Sequence, residues 1–240
     1  MRRVVVTGAN RGLGLEFTRQ FLAAGDEVVA AARHPRTADE LQKLVSASGG
    51  RGSAVRLDVA DPESIAAAGL HIGERFAAVD VLVNNAGVWA APGQPERLSA
   101  GPLADLRPEA VVEVLRVNAV GPLLVTQALA APLAAAGRSV VVNLTSGLGS
   151  LAGATGRGNI AYGMSKAALN MATRHLAAEL ARQGTIVVAL SPGWVATDMG
   201  GAGAPLEPPE SVRGMLSVLD GLTPVQSGSF LDHTGAMVPW

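Results

Sequence analysis

The chain predicts an α/β fold built on a doubly wound parallel sheet of about seven strands, with helices on both faces. Three observations lead there. Short, continuously apolar, β-branched runs recur along the sequence, helical patterns lie between them, and a glycine-rich turn joins the first run to the first helix. Val4-Val5-Val6 is the first run and reads as a strand buried on both faces. Similar runs follow at 27–32, 54–57, 81–83, 139–144 and 186–190, and Phe230-Leu231 reads as a last edge strand. Helical patterns occupy 13–24, 38–47, 62–76, 108–136 and 161–183, the fourth bent at Gly121-Pro122. Strand and helix alternating at this spacing require right-handed crossovers.

A length of 240 residues, 48% of them apolar and 16% charged, suits one domain over 1–240 with a large core. A net charge of -1, with arginines scattered singly apart from Arg2-Arg3, argues against a nucleic-acid surface. No cysteine means no disulfide or thiolate chemistry, which fits a cytoplasmic protein, and no metal site is read. The N-terminus has too few apolar residues before its turn for a signal peptide. The apolar stretch 123–136 is interrupted by Thr126, Gln127 and Pro132 and is too short for a span of about 20 residues. A soluble protein is expected.

Segments 88–107, 147–159 and 199–209 are rich in Gly, Pro and Ala, and each follows a strand end. In open α/β sheets ligands bind outside the carboxyl ends of strands, so these segments are expected to surround a site. The turn Thr7-Gly8-Ala9-Asn10-Arg11-Gly12-Leu13-Gly14 lies between a strand and a helix, where free N–H groups and the helix dipole favour an anion such as a pyrophosphate. The second strand ends Ala30-Ala31-Ala32-Arg33, with no carboxylate to bind a ribose diol. Arg33, and Arg11 from the turn, can instead pair with a 2′-phosphate, which points to NADP(H) while leaving NAD(H) possible. Asp58 ends the third strand beside Val59 and is open to two readings, a ligand contact or a helix cap.

Tyr162 is the only tyrosine, and Lys166, one of two lysines, follows it by four residues on a predicted helix, so phenol and ammonium share a face. A nearby cation favours the phenolate and brings proton exchange toward neutral pH. A half-buried tyrosine beside a solvated lysine is the plain alternative.

With these motifs the chain resembles the short-chain dehydrogenase/reductase superfamily over nearly its whole length. The glycine turn, Asn84-Asn85-Ala86-Gly87, Asn118, Ser146, Tyr162 with Lys166, and Ser191-Pro192-Gly193 occur in the family's order. The stretches 146–150, 161–171, 192–201 and the ending from Gly228 to Trp240 are similar to the C-factor and sniffer-type carbonyl reductases. The resemblance implies a Rossmann fold and hydride transfer between a nicotinamide and a small or apolar carbonyl or alcohol. It implies that Tyr162 supplies the proton, Ser146 donates to the same oxygen, Lys166 favours the phenolate and holds the nicotinamide ribose, and Asn118 binds a relaying water. It places Gly8, Asn10, Arg11, Gly12, Leu13, Gly14, Arg33, Asp58, Val59, Asn85, Ala86, Gly87, Tyr162, Lys166, Pro192, Gly193, Val195 and Thr197 at the cofactor, with Asn84 bracing the central strand. Ser150, twelve residues before Tyr162, competes with Ser146, sixteen before it, but Ser146 ends its strand as the family's serine does. Trp89, Leu148, Trp194 and Met199 are expected to wall an apolar substrate pocket. A regulatory dinucleotide-binding protein of the C-factor kind is the second reading, and a monomer, homodimer or homotetramer remains open.

Overall fold

The computed structural model describes residues 1–156 and 159–240; Arg157 and Gly158, within the glycine-rich stretch 147–159, lie outside the described residues. One wholly parallel sheet contains β1 (Arg3–Thr7), β2 (Glu27–Ala32), β3 (Gly52–Arg56), β4 (Val81–Asn84), β5 (Ser139–Leu144), β6 (Thr185–Ser191) and β7 (Phe230–Asp232). Their spatial order is β3-β2-β1-β4-β5-β6-β7, so the winding reverses between β1 and β4. The helices are α1 (Gly12–Ala23), α2 (Asp39–Ser46), α3 (Pro62–Arg75), α4 (Arg97–Ala100), α5 (Pro108–Leu115), α6 (Gly121–Ala128), α7 (Ala130–Ala135), α8 (Ile160–Leu180) and α9 (Pro208–Gly221).

The pleat explains why the strands read as unbroken apolar runs. Successive side chains point to opposite faces, and here both faces are covered. Val4, Val6, Val28 and Ala30 pack with Phe17 and Phe21 of α1, Leu41 of α2 and Met215 of α9. Val5, Val29, Leu82 and Val187 pack on the other side with Ile65 and Ile72 of α3, Leu133 of α7 and Leu176 of α8. At the sheet centre Asn84 Nδ2 donates to Asn143 Oδ1 at 2.9 Å, and Asn143 Nδ2 donates to Thr173 Oγ1 of α8 at 2.9 Å. Asn84 therefore braces the central strands, as expected.

Two departures from the sequence reading bear on the site. The single bent helix over 108–136 is instead α5, a π-helical turn at Arg116–Val120, α6 and α7. Pro122 has no N–H to give to the carbonyl four residues back, which belongs to Asn118, and its ring crowds that carbonyl. The irregularity therefore falls at Asn118, one turn before the expected bend. Helix α9 was not foreseen at all. Pro208 and Pro209 suit a first turn, and Val212, Met215 and Leu219 form its buried stripe, but Gly214 and Gly221 depress its intrinsic propensity. Gly214 is there for packing, since a Cβ would lie 2.5 Å from the His233 carbonyl oxygen. No described helix is long and apolar enough to cross a membrane.

Candidate active site

The turns after β1 and β4 are locked together at the reversal point. Asn85 Nδ2 donates to the carbonyls of Thr7 and Gly8 at 2.8 and 3.2 Å, and Thr7 Oγ1 accepts from the backbone N–H groups of Asn85 and Ala86 at 3.1 and 3.0 Å. This approach requires glycine. A Cβ on Gly8, whose φ is +66°, would lie 2.8 Å from Ala86 Cα, and one on Gly14 would lie 2.3 Å from the Gly8 oxygen. Gly14 thus packs α1 against the turn from behind, where a Cβ would also meet Asn85 Nδ2 at 2.4 Å.

In front of the turns runs a cleft of about 310 Å³. Gly8, Asn10, Arg11, Gly12 and Leu13 line it, with Arg33, Asp58, Val59, Asn85, Ala86, Gly87, Tyr162, Lys166, Pro192 and Thr197. Gly193 and Val195 do not. Gly193, at φ +81°, backs onto Leu206 and His233, while Val195 is buried and pairs with Leu206 through a β-bridge. These two shape the segment from behind because β6 turns sharply there. Asp58 accepts from the Ala60 N–H at 3.0 Å, but α3 is capped by Asp61, so the cap alternative for Asp58 is removed. Arg33 is exposed at the end of β2 without an ion-pair partner among the described residues, whereas Arg11 pairs across the cleft with Asp198. The glycine floor, the start of α1 and two guanidinium groups fit an elongated, phosphorylated anion.

The catalytic candidates gather at one end. Tyr162 and Lys166 are buried in the first turns of α8, whose N-cap Asn159 accepts from the Tyr162 N–H at 3.0 Å. Lys166 Nζ lies 5.6 Å from the phenol ring centroid and donates to the Leu144 carbonyl at 2.7 Å. Ser146, just past β5, sits beside the phenol, and its Oγ accepts from the Leu148 N–H at 3.2 Å. Ser150 is excluded as its rival, because its buried hydroxyl donates to the Pro239 carbonyl at 2.6 Å and accepts from Gly153.

One electrostatic expectation is corrected. Burial pushes the Tyr162 phenol up to about 12, with the Ser146 hydrogen bond acting the other way, and burial lowers Lys166 to about 8. Desolvation outweighs the cation's effect, so the phenol is held as the neutral acid rather than brought toward neutrality. Asn118 is engaged through its side chain. Its Oδ1 accepts from the Val88 N–H, and its Nδ2 donates to the Val88 carbonyl and Ser165 Oγ, at 2.8, 2.8 and 3.0 Å. The side chain braces the loop after β4 and has no donor left for a water.

Of the expected substrate wall, Trp89 stands beside Tyr162 with ring centroids 5.0 Å apart, Met199 lines the cleft, and Leu148 and Trp194 are exposed without lining it. Sequence reasoning missed His34, Glu113, Thr145 and Asp198, which also line the cleft. His34 and Asp198 directly follow Arg33 and Thr197, and that adjacency was the available signal. Glu113 had none, since α5 reaches the cleft only through tertiary packing.

A family model described as short chain dehydrogenase matches residues 2–205. C-signal of Myxococcus xanthus is 48% identical over 165 residues, which cover 68% of this chain and 93% of that protein. An NADPH-bound carbonyl reductase from chicken fatty liver superposes with a TM-score of 0.91 at 37% identity, covering 100% of this chain and 99% of the other. The carbonyl reductase Sniffer of D. melanogaster also gives a TM-score of 0.91, at 30% identity, with 100% of both chains covered.

The buried ammonium has a signature in stability. Lys166 is lowered from 10.5 to about 8 on folding, so from about pH 8 upward the folded chain releases a proton that the unfolded chain keeps until 10.5, and stability rises with pH. Tyr162 acts above that window with the opposite sign, since the unfolded phenol ionises near 10.0 and the folded one near 12. Relative to Lys166→Met, the wild type should gain about 3 kcal/mol between about pH 8 and pH 10.5, measured by urea unfolding. A difference that does not change with pH would show that the ammonium is not desolvated.

Proposed function

The chain belongs to the short-chain dehydrogenase/reductase family of NAD(P)-dependent oxidoreductases, and on that premise we propose that it is an NADPH-dependent carbonyl reductase with Tyr162 as proton donor. The observation that carries this reading is the buried Tyr162 phenol, with Lys166 Nζ 5.6 Å from its ring centroid, at the end of a cleft lined by the glycine turn. When bound, the nicotinamide dinucleotide supplies the hydride to the carbonyl carbon.

The residues of the chain do the rest. The carbonyl oxygen gains charge as the carbon is reduced, and the Ser146 hydroxyl stabilises it by hydrogen bonding. Tyr162 gives that oxygen its proton, a favourable transfer because an alkoxide is far more basic than a phenolate even at a pKa of about 12. The oxygen leaves as the hydroxyl of an alcohol. Lys166, anchored on the Leu144 carbonyl, stands where it can hold the nicotinamide ribose and favour the phenolate left behind. The water relay is assigned to the Asn118 main-chain carbonyl, which Pro122 cannot engage, because the side chain is occupied. Gly8, Gly12 and the start of α1 would receive the pyrophosphate, Asp58 and Val59 the adenine, and Arg33 and Arg11 the 2′-phosphate. The exposed apolar side chains of Leu148, Trp194 and Met199 support small or moderately apolar carbonyl compounds as substrates.

A second reading, a regulatory dinucleotide-binding protein with little turnover, is favoured by the similarity to C-signal. For assembly, Val112, Val120 and Leu123 are exposed on the α5–α6 stretch, and Ile160, Met164 and Met171 on α8, which packs against it. These apolar faces support a homodimer.

In an assay of NADPH oxidation with aldehydes, ketones, diketones and quinones, Tyr162→Phe should lose about 10²–10⁴-fold in turnover with NADPH binding intact. Ser146→Ala should lose about 10²-fold or more, and Ser150→Ala only a few-fold. Tight binding without turnover of any carbonyl would favour the regulatory reading. Arg33→Ala should weaken NADPH about tenfold relative to NADH, and an unchanged ratio removes the 2′-phosphate assignment. Light scattering after size exclusion should show twice the chain mass; a particle of 24.3 kDa would overturn the dimer.

A further inference from the structure

The segment between β4 and α4 has a small core of its own, and Trp89 is not part of it. Ala91, Ala110, Val114 and Ala161 are buried together, with Val88, Leu98 and Val111 packed on them. Small aliphatic residues therefore seat the loop, and Ala91 N–H is tied to Ser99 Oγ at 3.0 Å. The indole is half-buried and is held in three separate ways. Its ring lies at 5.0 Å and 42° to the Tyr162 ring. Its Nε1 donates to Glu96 Oε1 at 3.0 Å. Its carbonyl accepts from Nδ2 of Asn159, the residue whose Oδ1 caps α8 at Tyr162.

An indole needed only to fill space would not require this arrangement. Glu96 is exposed, so its bond does not rescue a buried N–H; water could satisfy that group equally well. What the bond adds is orientation, since the ring packs at a tilt against Tyr162 on one side and is tethered at its edge. Asn159 fixes the backbone of Trp89 to the same helix terminus that carries the phenol. The result is a rigid, flat, apolar face with its angle set relative to the proton donor, which is how a site acquires specificity without reorganisation on binding.

We propose that Trp89 is a specificity-determining residue, a fixed platform for the flat ring of an aryl or conjugated carbonyl substrate, with Glu96 and Asn159 as its positioning residues. The proposal rests on the reading of Tyr162 as proton donor. A stacked aromatic pair contributes about 0.5–1.5 kcal/mol beyond area burial, so the effect on discrimination is about two- to tenfold.

Benzaldehyde and cyclohexanecarbaldehyde have the same carbon count but differ in that one ring is flat and the other puckered. The ratio of their kcat/KM values with NADPH should fall about two- to tenfold in Trp89→Ala and be largely kept in Trp89→Phe. In Glu96→Ala it should fall partway, through KM rather than kcat, and return in Glu96→Gln, which keeps the acceptor. NADPH binding should not change in any of these variants. An unchanged ratio in Trp89→Ala, or an equal loss on both aldehydes, overturns the proposal. If Trp89→Ala fails to fold, Glu96→Ala decides, because it alters only an exposed side chain. If the wild type reduces neither aldehyde, the carbonyl reductase reading is weakened and calorimetry decides this one separately. Benzamide and cyclohexanecarboxamide are then titrated into the NADP+-loaded protein. A Trp89-dependent preference for benzamide supports the platform, and equal affinities overturn it.

Discussion

An ammonium buried without a carboxylate partner among the described residues is the constraint on which the rest of the site depends. Lys166 is 5% exposed, and the group that receives its hydrogen bond is a main-chain carbonyl at the end of β5. Holding it there demands close approach from every side. A Cβ on Gly149 would lie 2.9 Å from the Lys166 backbone, and one on Gly87 would lie 3.7 Å from Nζ and 3.2 Å from Asn118 Oδ1. The glycines after β4 and β5 let their loops press against α8, and Asn118 and Ser165 fix the gap between them. With no anion to compensate, desolvation lowers the lysine and raises the tyrosine together. The pair is thereby set as a neutral acid beside a weakly held cation.

The sheet makes such a site possible because its centre is over-determined. The Asn84–Asn143–Thr173 chain links β4, β5 and α8, and the Thr7–Asn85 contacts link β1 to β4. Both sets lie at the carboxyl ends of the strands, where the winding reverses and a crevice opens. The mobile-looking chemistry of loops is therefore mounted on rigid elements. The side chains proposed to face substrate are held by fewer such contacts, among them the Trp194 indole bond to the Gly200 carbonyl at 2.8 Å. Leu148, Trp194 and Met199 are exposed, and the segment 199–207 is made chiefly of small residues.

Local features of the chain were legible in the sequence wherever the physics was local. Strands buried on both faces show as β-branched runs, a glycine turn after a strand shows as anion-binding, and a Tyr and a Lys four apart on a helix must share a face. Seven strands and their alternation with helices follow from those signals, and the similarity in fold to known carbonyl reductases agrees with them. A proline at 122 also had to disturb the carbonyl at 118, although that consequence was placed one turn too late.

Tertiary structure alone decided whatever depends on a distant partner or on the dielectric. Helix α9 forms despite Gly214 and Gly221 because its stripe is buried on β-strand residues and the His233 carbonyl admits no Cβ at 214. Gly14, Gly193 and Val195 have motif positions that suggest contact, but their place behind the cleft follows from how Asn85, His233 and Leu206 pack. The Asn118 side chain is taken up by Val88, thirty residues away. The direction of the Tyr162 shift was misjudged for the same reason: a sequence shows that a cation is near a phenol, but only the packed structure shows that both have been taken out of water, and desolvation then outweighs their proximity.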